Sequence, residues 1–433
     1  MKLLEQLFKL EQHNTSVRVE SMSGLTTFLT MAYITVVNPS ILSAAGMDFG
    51  AVFVATCIAA AFGSIVMGLY ANYPIAQAPG MAQNAFFTFG VVLGMGHSWQ
   101  TALGAVFISG VIFVVLSVLP VREWLINAIP RNLKLGMASG IGLFLGFIAL
   151  KNAGIVVDHD ATLVALGDLV SFEPLVCIFA FVIIAALSAR QVRGAVIIGI
   201  LAATAVGWMF GNVEIDGFVA MPPSPAPVFL QLDIAAALQW SMVTVILSML
   251  IVDVFDTAGT LIGVATRANL IGADGRLPRL RKALLSDSTA TVVGAVAGTS
   301  STTSYIESAA GVEAGGRTGL TAVVCGLLFL ACLFFAPLAQ SVPAYATAAA
   351  LLFVACLMAR SLADIEWHDI TESAPAVVTA IAMPLSFSIA EGIGLGFITY
   401  ILIKLVSGRA RDCSPAAYVI AVIFALKYVF LSA

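Results

Sequence analysis

Charged side chains are scarce in this sequence. Only 10% of its 433 residues are Asp, Glu, Lys or Arg, whereas 60% are hydrophobic, and the mean hydropathy is +1.02. A soluble domain carries about 25% charged residues, which form its hydrated surface. A soluble protein of this length would lack that surface, so the composition argues against a soluble enzyme and indicates a membrane protein.

Cysteine and histidine are also few. None of the six cysteines belongs to a CxxC pair, and the four histidines all fall in predicted loops. The sequence therefore indicates no disulfide framework, no zinc site and no histidine proton relay within the membrane. Because no GxSxG or HExxH motif lies in any predicted span, we expect no enzyme, no bound metal and no other cofactor.

Long apolar runs, in contrast, are plentiful. Runs such as Val52–Leu69, Leu103–Leu119 and Leu320–Phe335 approach or reach the length that crosses ~30 Å of hydrocarbon. Threading the chain through such runs predicts an all-α polytopic membrane protein with about 14 transmembrane segments. A further apolar stretch, Ala416–Phe430, lies beyond the last of them, and the sequence does not decide its placement.

Lys and Arg are distributed unevenly among the predicted loops. The loops Val156–Ser171 and Gly211–Leu238 contain neither residue, whereas alternate loops are rich in both. Cytoplasmic loops carry this excess of positive charge, so we predict a cytoplasmic N-terminus in a cell inner membrane. The basic cluster Arg267–Lys282 is explained by the same rule, and we expect no nucleic-acid partner.

The predicted segments form two halves of seven on either side of the loop Gly211–Leu238. An odd number per half gives the halves opposite orientations, as in a 7+7 inverted repeat. The third segment, Gln77–Gly94, opens on a Pro-Gly pair, and the polar run Thr299–Tyr305 leads into the tenth. Both patterns predict a short strand followed by a half-helix. Irregular backbone at membrane depth is tolerated where it is buried or lines a cavity, so a transport site is expected there.

Three acids stand out within the predicted spans, namely Asp253, Asp256 and Glu307. A charge at the bilayer centre costs ~2.5–3.5 kcal/mol on insertion scales, and no basic residue lies near the centre of a predicted span. Asp253 and Asp256 are three residues apart and share a helix face. Asn84 occupies the position in the first half that Glu307 occupies in the second. We therefore predict that these four residues serve transport, and that the acids carry a proton.

The predicted site also limits the kind of solute. Half-helix N-termini offer N–H donors and partial positive charge, while the carboxylates offer acceptors. This combination suits a flat, neutral heterocycle. A small anion would be repelled by Asp256 and Glu307. The alternative function, an anion or other small-solute transporter or channel on the same fold, predicts a site without carboxylates.

At these residues the sequence resembles the AzgA-like hypoxanthine/guanine/adenine permeases, a branch of the nucleobase–ascorbate transporter superfamily. The resemblance covers essentially the whole chain. Its motifs are Gly24–Tyr33, Asn84–Phe87, Val252–Leu261, Tyr305–Gly311 and Gly315–Leu320.

The resemblance implies a division into domains. A core domain would comprise residues 21–120 and 237–340, and a gate domain would comprise residues 121–212 and 341–408. Residues 1–20 would be a cytoplasmic N-terminus, and residues 409–433 would be the apolar C-terminal segment of undecided placement. It also implies proton symport by an elevator movement of the core, often in a homodimer within the bilayer.

The resemblance further implies roles for individual residues. Asp253 or Asp256, with Glu307 and Asn84, would contact a purine nucleobase, and the backbone N–H groups of Ala85 and Ile306 would hold ring acceptors. An ionised carboxylate only accepts hydrogen bonds. It therefore suits the N1–H edge of guanine and hypoxanthine better than adenine, which pairs a donor with an acceptor.

Overall fold

The computed structural model describes residues 2–119, 129–215, 217–268, 270 and 277–430, which are mostly helical. Its helices are α1 (Lys2–Phe8), α2 (Val17–Met31), α3 (Ile34–Ser43), α4 (Phe49–Val66), α5 (Met81–Ala85), α6 (Trp99–Val118), α7 (Arg131–Asn152), α8 (Phe172–Ala189), α9 (Ala195–Met209), α10 (Ile234–Ala237), α11 (Val243–Arg267), α12 (Leu280–Ala297), α13 (Ser308–Glu313), α14 (Gly319–Cys332), α15 (Ala336–Gln340), α16 (Ala344–Ala359), α17 (Ile370–Ser386), α18 (Ile389–Val406) and α19 (Pro415–Phe430). π-Helical turns, Met67–Ala71 and Phe86–Gly94, extend α4 and α5.

Four short strands accompany the helices. β1 (Gln77–Pro79) pairs with β4 (Thr302–Ser304), and β2 (Val156–His159) pairs with β3 (Leu163–Leu166), both antiparallel. The first pair joins the two stretches for which strands were predicted. The second is a hairpin that the all-α prediction missed, because its Val- and Leu-containing strands are only four residues each.

The chain is a multi-pass membrane protein. Within the described residues, nine helices are long and apolar enough to cross a bilayer, and four shorter apolar helices accompany them. The residues on which the predicted gate domain begins, 121–128, lie outside the described part, as do residues 271–276 of the basic loop.

Two helices begin earlier than the hydropathy pattern predicts. The first predicted span starts at Gly24, but α2 starts at Val17, where the Ser16 hydroxyl accepts a hydrogen bond from the Val19 N–H (3.3 Å). The ninth predicted span starts at Thr289, but α12 starts at Leu280. Ser286, Asp287 and Ser288 of α12 are buried against other elements, so the low hydropathy of this stretch does not mark a loop.

The helices pack into two groups. In one group α12 packs against α6 and α4, and α14 packs against α4 and α2. In the other group α7 packs against α16 and α17, α17 packs against α18, and α8 packs against α9. The strand pair β1–β4 belongs to the first group, where it contacts α4 and α12.

The C-terminal helix α19 lies antiparallel along α18. Near its start the hydroxyl of Tyr418 donates to the carbonyl of Ala410 (3.0 Å), and near its end Lys427 forms an ion pair with Glu391, in the first turn of α18. Sixteen helical residues rise about 24 Å. Because its two ends contact opposite ends of α18, α19 runs alongside that spanning helix and does not lie flat on the surface.

Candidate functional site

The strand pair β1–β4 forms the centre of the site. Gln77 lies opposite Ser304, and every residue of both strands is buried. The pairing continues past β4, where the N–H of Tyr305 donates to the carbonyl of Ala76 (3.0 Å). Backbone groups that would be costly in hydrocarbon thus satisfy one another. The helices α5 and α13 begin just beyond the strands.

Glu307 immediately precedes α13. The phenol of Tyr33 donates a hydrogen bond to its Oε1 (2.7 Å), and the hydroxyl of Thr30 approaches its backbone carbonyl (3.4 Å). Tyr33 is buried, whereas Glu307 is only half-buried. The carboxylate is therefore held by one oxygen while it remains accessible from outside the helix packing.

Asp256 lies on α11 with an exposed side chain. Its helix α11 contacts α13, the helix that Glu307 precedes. An aspartate at this depth facing lipid would be costly, so this face of α11 borders an aqueous space. Asp256 and Glu307, from distant parts of the sequence, therefore lie on neighbouring elements, and neither residue is fully buried.

Asp253, one turn earlier on α11, lies in a different environment. Its side chain is fully buried. One carboxylate oxygen accepts from the Thr291 hydroxyl (3.0 Å), and the other accepts from the Gln83 amide (3.4 Å). Asp253 therefore connects α11 with α12 and α5 instead of facing the space that Asp256 borders.

Asp287 is a fourth acid that the hydropathy analysis missed, because that analysis placed it in a loop. It lies within α12 and is fully buried. Its Oδ1 accepts from the Gln77 amide (3.0 Å) and the Ser304 hydroxyl (2.7 Å), and its Oδ2 accepts from the Thr257 hydroxyl (2.6 Å). One carboxylate thus joins both strands and α11 to α12.

Asn84 is a buried residue of α5. Its Oδ1 accepts a hydrogen bond from the Ser300 hydroxyl, whereas its Nδ2 has no partner among the described residues. Buried polar groups normally find a partner, so an orphaned donor indicates a place for a ligand or a water. Ala85 follows as the last residue of α5, also buried. Its role as an N–H donor stays a prediction.

A cavity of about 290 Å³ opens beside Glu307. One wall belongs to the strand-containing group of helices, and the facing wall belongs to the other group. Its lining residues include Thr30, Tyr33, Ile306, Glu307, Arg267, Glu313, Ser188, Val196, Phe353, Val354 and Leu357. Ile306 is 50% exposed, and its predicted backbone role also stays a prediction. The cavity thus lies where the two helix groups meet.

Glu20 is a second acid outside the predicted set. It is fully buried on α2 and accepts from the N–H groups of Arg317 (2.9 Å) and Thr318 (3.2 Å) and from the hydroxyl of Thr321 (2.6 Å). It caps the start of α14. Residues 1–20, predicted to be a cytoplasmic terminus, therefore contribute to the helix packing.

Buried acids, short paired strands and a cavity between two helix groups define a class, namely membrane transporters that move a solute through an internal site. The described residues contain no group of three His, Cys, Asp or Glu side chains suited to a metal. Residues 18–395 match the Permease family, and the chain belongs to that family.

Named relatives align over nearly the whole length. The chain is 51% identical over 431 residues to adenine permease AdeP of Escherichia coli K12, covering 100% of this chain and 97% of that protein. It is 46% identical over 440 residues to guanine/hypoxanthine permease PbuG of Bacillus subtilis, covering 99% and 100%. The resemblance to AzgA-like permeases is confirmed, and the chain is a transporter.

The fold is shared with solved transporters of other families. The transmembrane domain of a cyanobacterial bicarbonate transporter, BicA, superposes with a TM-score of 0.68 at 16% identity, covering 87% of this chain and 96% of that one. At that identity the likeness concerns the polytopic helical fold alone.

Proposed function

We propose that this permease imports purine nucleobases together with protons. The observation that carries the proposal is that two accessible acids, Asp256 and Glu307, lie on contacting elements, and that Glu307 lines a cavity between two helix groups. The relatives named adenine permease and guanine/hypoxanthine permease support a purine as the solute. The acids supply proton carriers, which a coupled importer needs.

The proposed architecture is a fourteen-segment inverted repeat. In support, β1 leads into α5, β4 leads into α13, and the two strands pair antiparallel. The strand-containing helix group would be the core domain (21–120 and 237–340), and the other group would be the gate domain (121–212 and 341–408). The core would carry the base past the gate in an elevator movement.

In this site Asp256 and Glu307 would bind the base, and Asn84 would complete the contacts. Asp256 is exposed whereas Asp253 is buried and hydrogen-bonded to Gln83 and Thr291. We therefore assign base contact to Asp256 and a positioning role to Asp253. Asp253 differs from the contact residues because it is fully buried, as are its hydrogen-bond donors Gln83 and Thr291. It has no exposed carboxylate oxygen facing the cavity.

The preferred purine depends on whether one of the two accessible acids carries a proton. When one of the two accessible acids carries it, the pair offers an O–H donor beside carboxylate acceptors. That edge matches adenine, whose N1 accepts and whose N6 amino group donates, as well as it matches hypoxanthine. Ionised acids alone would favour guanine and hypoxanthine. Because AdeP is also somewhat more similar than PbuG, we propose adenine as the tightest-binding base, in place of the preference for guanine and hypoxanthine that the sequence alone suggested.

Inhibition constants for adenine, hypoxanthine, guanine, xanthine and uracil against uptake of one labelled purine test the proposal. We expect adenine to be tightest and uracil weakest, because unpaired buried polar groups cost ~1–3 kcal/mol each. In Asp256→Asn the ranking should change. In the matched Asp253→Asn variant the rate should fall with the ranking kept. Uracil or xanthine binding tightest would contradict the purine assignment.

Coupling is tested separately with the ion gradients. A protonophore should abolish concentrative adenine uptake, and replacing external sodium with choline should leave it unchanged, because the proposed ion carriers are carboxyl groups that bind protons. Uptake that survives the protonophore and fails without sodium would contradict proton coupling. Membrane potential should be held constant with potassium and valinomycin so that only the proton gradient changes.

The remaining features of the proposal concern the cellular setting. We expect the inner membrane, a cytoplasmic N-terminus, no cofactor other than the coupled proton, and a homodimer. Anion transport, the alternative on this fold, receives no support from the site, because Asp256 and Glu307 would repel an anion where the cavity is accessible.

A further inference from the structure

One face of α11 is open from the site to the end of the helix. Asp256, Gly259 and Ile262 are exposed at helical spacing, and Thr266 and Arg267 continue the row. Among the described residues, a Cβ added at Gly259 would meet no atom within 4 Å, and one at Gly263 would meet only Ile306, at 3.5 Å. This row therefore borders open space and not a packed neighbour.

The open face ends at an ion pair. Arg267, the last residue of α11, contacts Glu313, the last residue of α13, at 2.9 Å, and both side chains are more than half exposed. Both residues also line the cavity beside Glu307. The row on α11 and the cavity therefore open at the same place, where Arg267 and Glu313 supply one charge of each sign.

The opposite side of the site is closed. Residues 299–304, which lead into and form β4, are all buried. Beyond them Val228 is fully buried and packs over Gly298, where an added Cβ would clash with its side chain. The N–H of Leu230 also donates to the carbonyl of Val296 (2.9 Å). Access therefore exists only on the Arg267 side of the described residues.

We propose that this face of α11, from Asp256 to the Arg267–Glu313 ion pair, is the path by which a neutral purine base leaves the site for the cytoplasm. The proposal rests on the proposed function. The absence of a side chain at Gly259 leaves room for the base one turn from Asp256. The core wall is polar and the facing wall is apolar at Phe353, Val354 and Leu357. The charged groups that line the cavity, Glu307, Arg267 and Glu313, all lie on the core wall, so a base would find its charged hydrogen-bond partners there.

Cysteine labelling tests the path. Cys356, the exposed cysteine, is first replaced by alanine, and Gly259→Cys is introduced into that background. A positively charged, membrane-impermeant methanethiosulfonate should modify it in inside-out vesicles and not in right-side-out vesicles. Adenine at ten times its apparent Kd leaves about one-eleventh of the sites empty and should slow the labelling roughly tenfold. Modified protein should lose adenine uptake.

Two further variants make the result decisive. Ile262→Cys probes a second position on the same face, in case Gly259→Cys fails to reach the membrane. Ser407→Cys lies exposed just after α18 and should be labelled at one rate with or without adenine. The path is overturned if Ser407→Cys reacts while both α11 variants do not, or if adenine protects neither. If the unmodified protein still takes up purines specifically, the proposed function stands although the path is wrong. If it takes up no purine, the proposed function itself is contradicted, whatever the labelling result.

Discussion

Replacing Glu307 with Gln is expected to remove nearly all purine uptake while the protein still reaches the membrane. Gln keeps the size of the side chain and an oxygen that can accept from Tyr33, whose phenol now lies 2.7 Å from Oε1. It loses the charge, and hydrogen bonds to charged groups are worth ~1.5–3 kcal/mol, which is about 10- to 150-fold in affinity. It also cannot carry a proton, so transport should fall further than binding.

The measurement is the initial rate of labelled adenine uptake in cells without their own purine permeases, normalised to the amount of protein in the membrane. Glu173→Gln is the matched control, since Glu173 is exposed in the first turn of α8 and contacts no part of the site described above. Wild-type kinetics in Glu307→Gln would remove Glu307 from the proposed site.

Replacing Asp287 with Ala should cause the largest loss of folded protein. Three side chains, Gln77, Ser304 and Thr257, donate to this carboxylate. Each donor left unpaired inside the protein costs about 1–3 kcal/mol, and folded proteins have only about 5–15 kcal/mol of stability in total. Thermal unfolding in detergent, followed with a thiol-reactive or fluorescence probe, should show a large fall in melting temperature or no folded yield.

Asp287→Asn is the informative companion. Its amide oxygen can still accept from two of the donors, so it should be less destabilised than the alanine variant and should fold well enough for uptake measurements. Equal stability of wild type, Asn and Ala variants would show that the network around β1 and β4 does not depend on Asp287.

The sequence predicts the broad fold and the accessible acids for a simple physical reason. A charge in a long apolar segment is costly unless it serves a purpose, so Asp256 and Glu307 stand out against their neighbours. The two strand segments can also be predicted, because a Pro-Gly pair and a Ser/Thr run disfavour a continuous spanning helix. The pairing partner of each strand follows only from three-dimensional structure.

Asp287 and Glu20 could not be found in this way. Glu20 lies in the first turn of α2 and Asp287 in the first half of α12, both among polar residues whose hydropathy resembles that of a loop. Their burial depends on partners far away in sequence, such as Gln77 for Asp287 and Thr321 for Glu20. Hydropathy is a local property, so it cannot report a carboxylate that is stabilised by distant donors.

The pairing of β1 with β4 also has a consequence for biosynthesis. Gln77 and Ser304 are separated by 227 positions in the chain, and translation adds about 5–20 residues per second, so β1 waits roughly 10–45 s for its partner. During that interval its backbone groups lack their final hydrogen bonds at membrane depth. The insertion machinery or neighbouring water must satisfy them, and the first half of the chain cannot complete its site until the second half has been made.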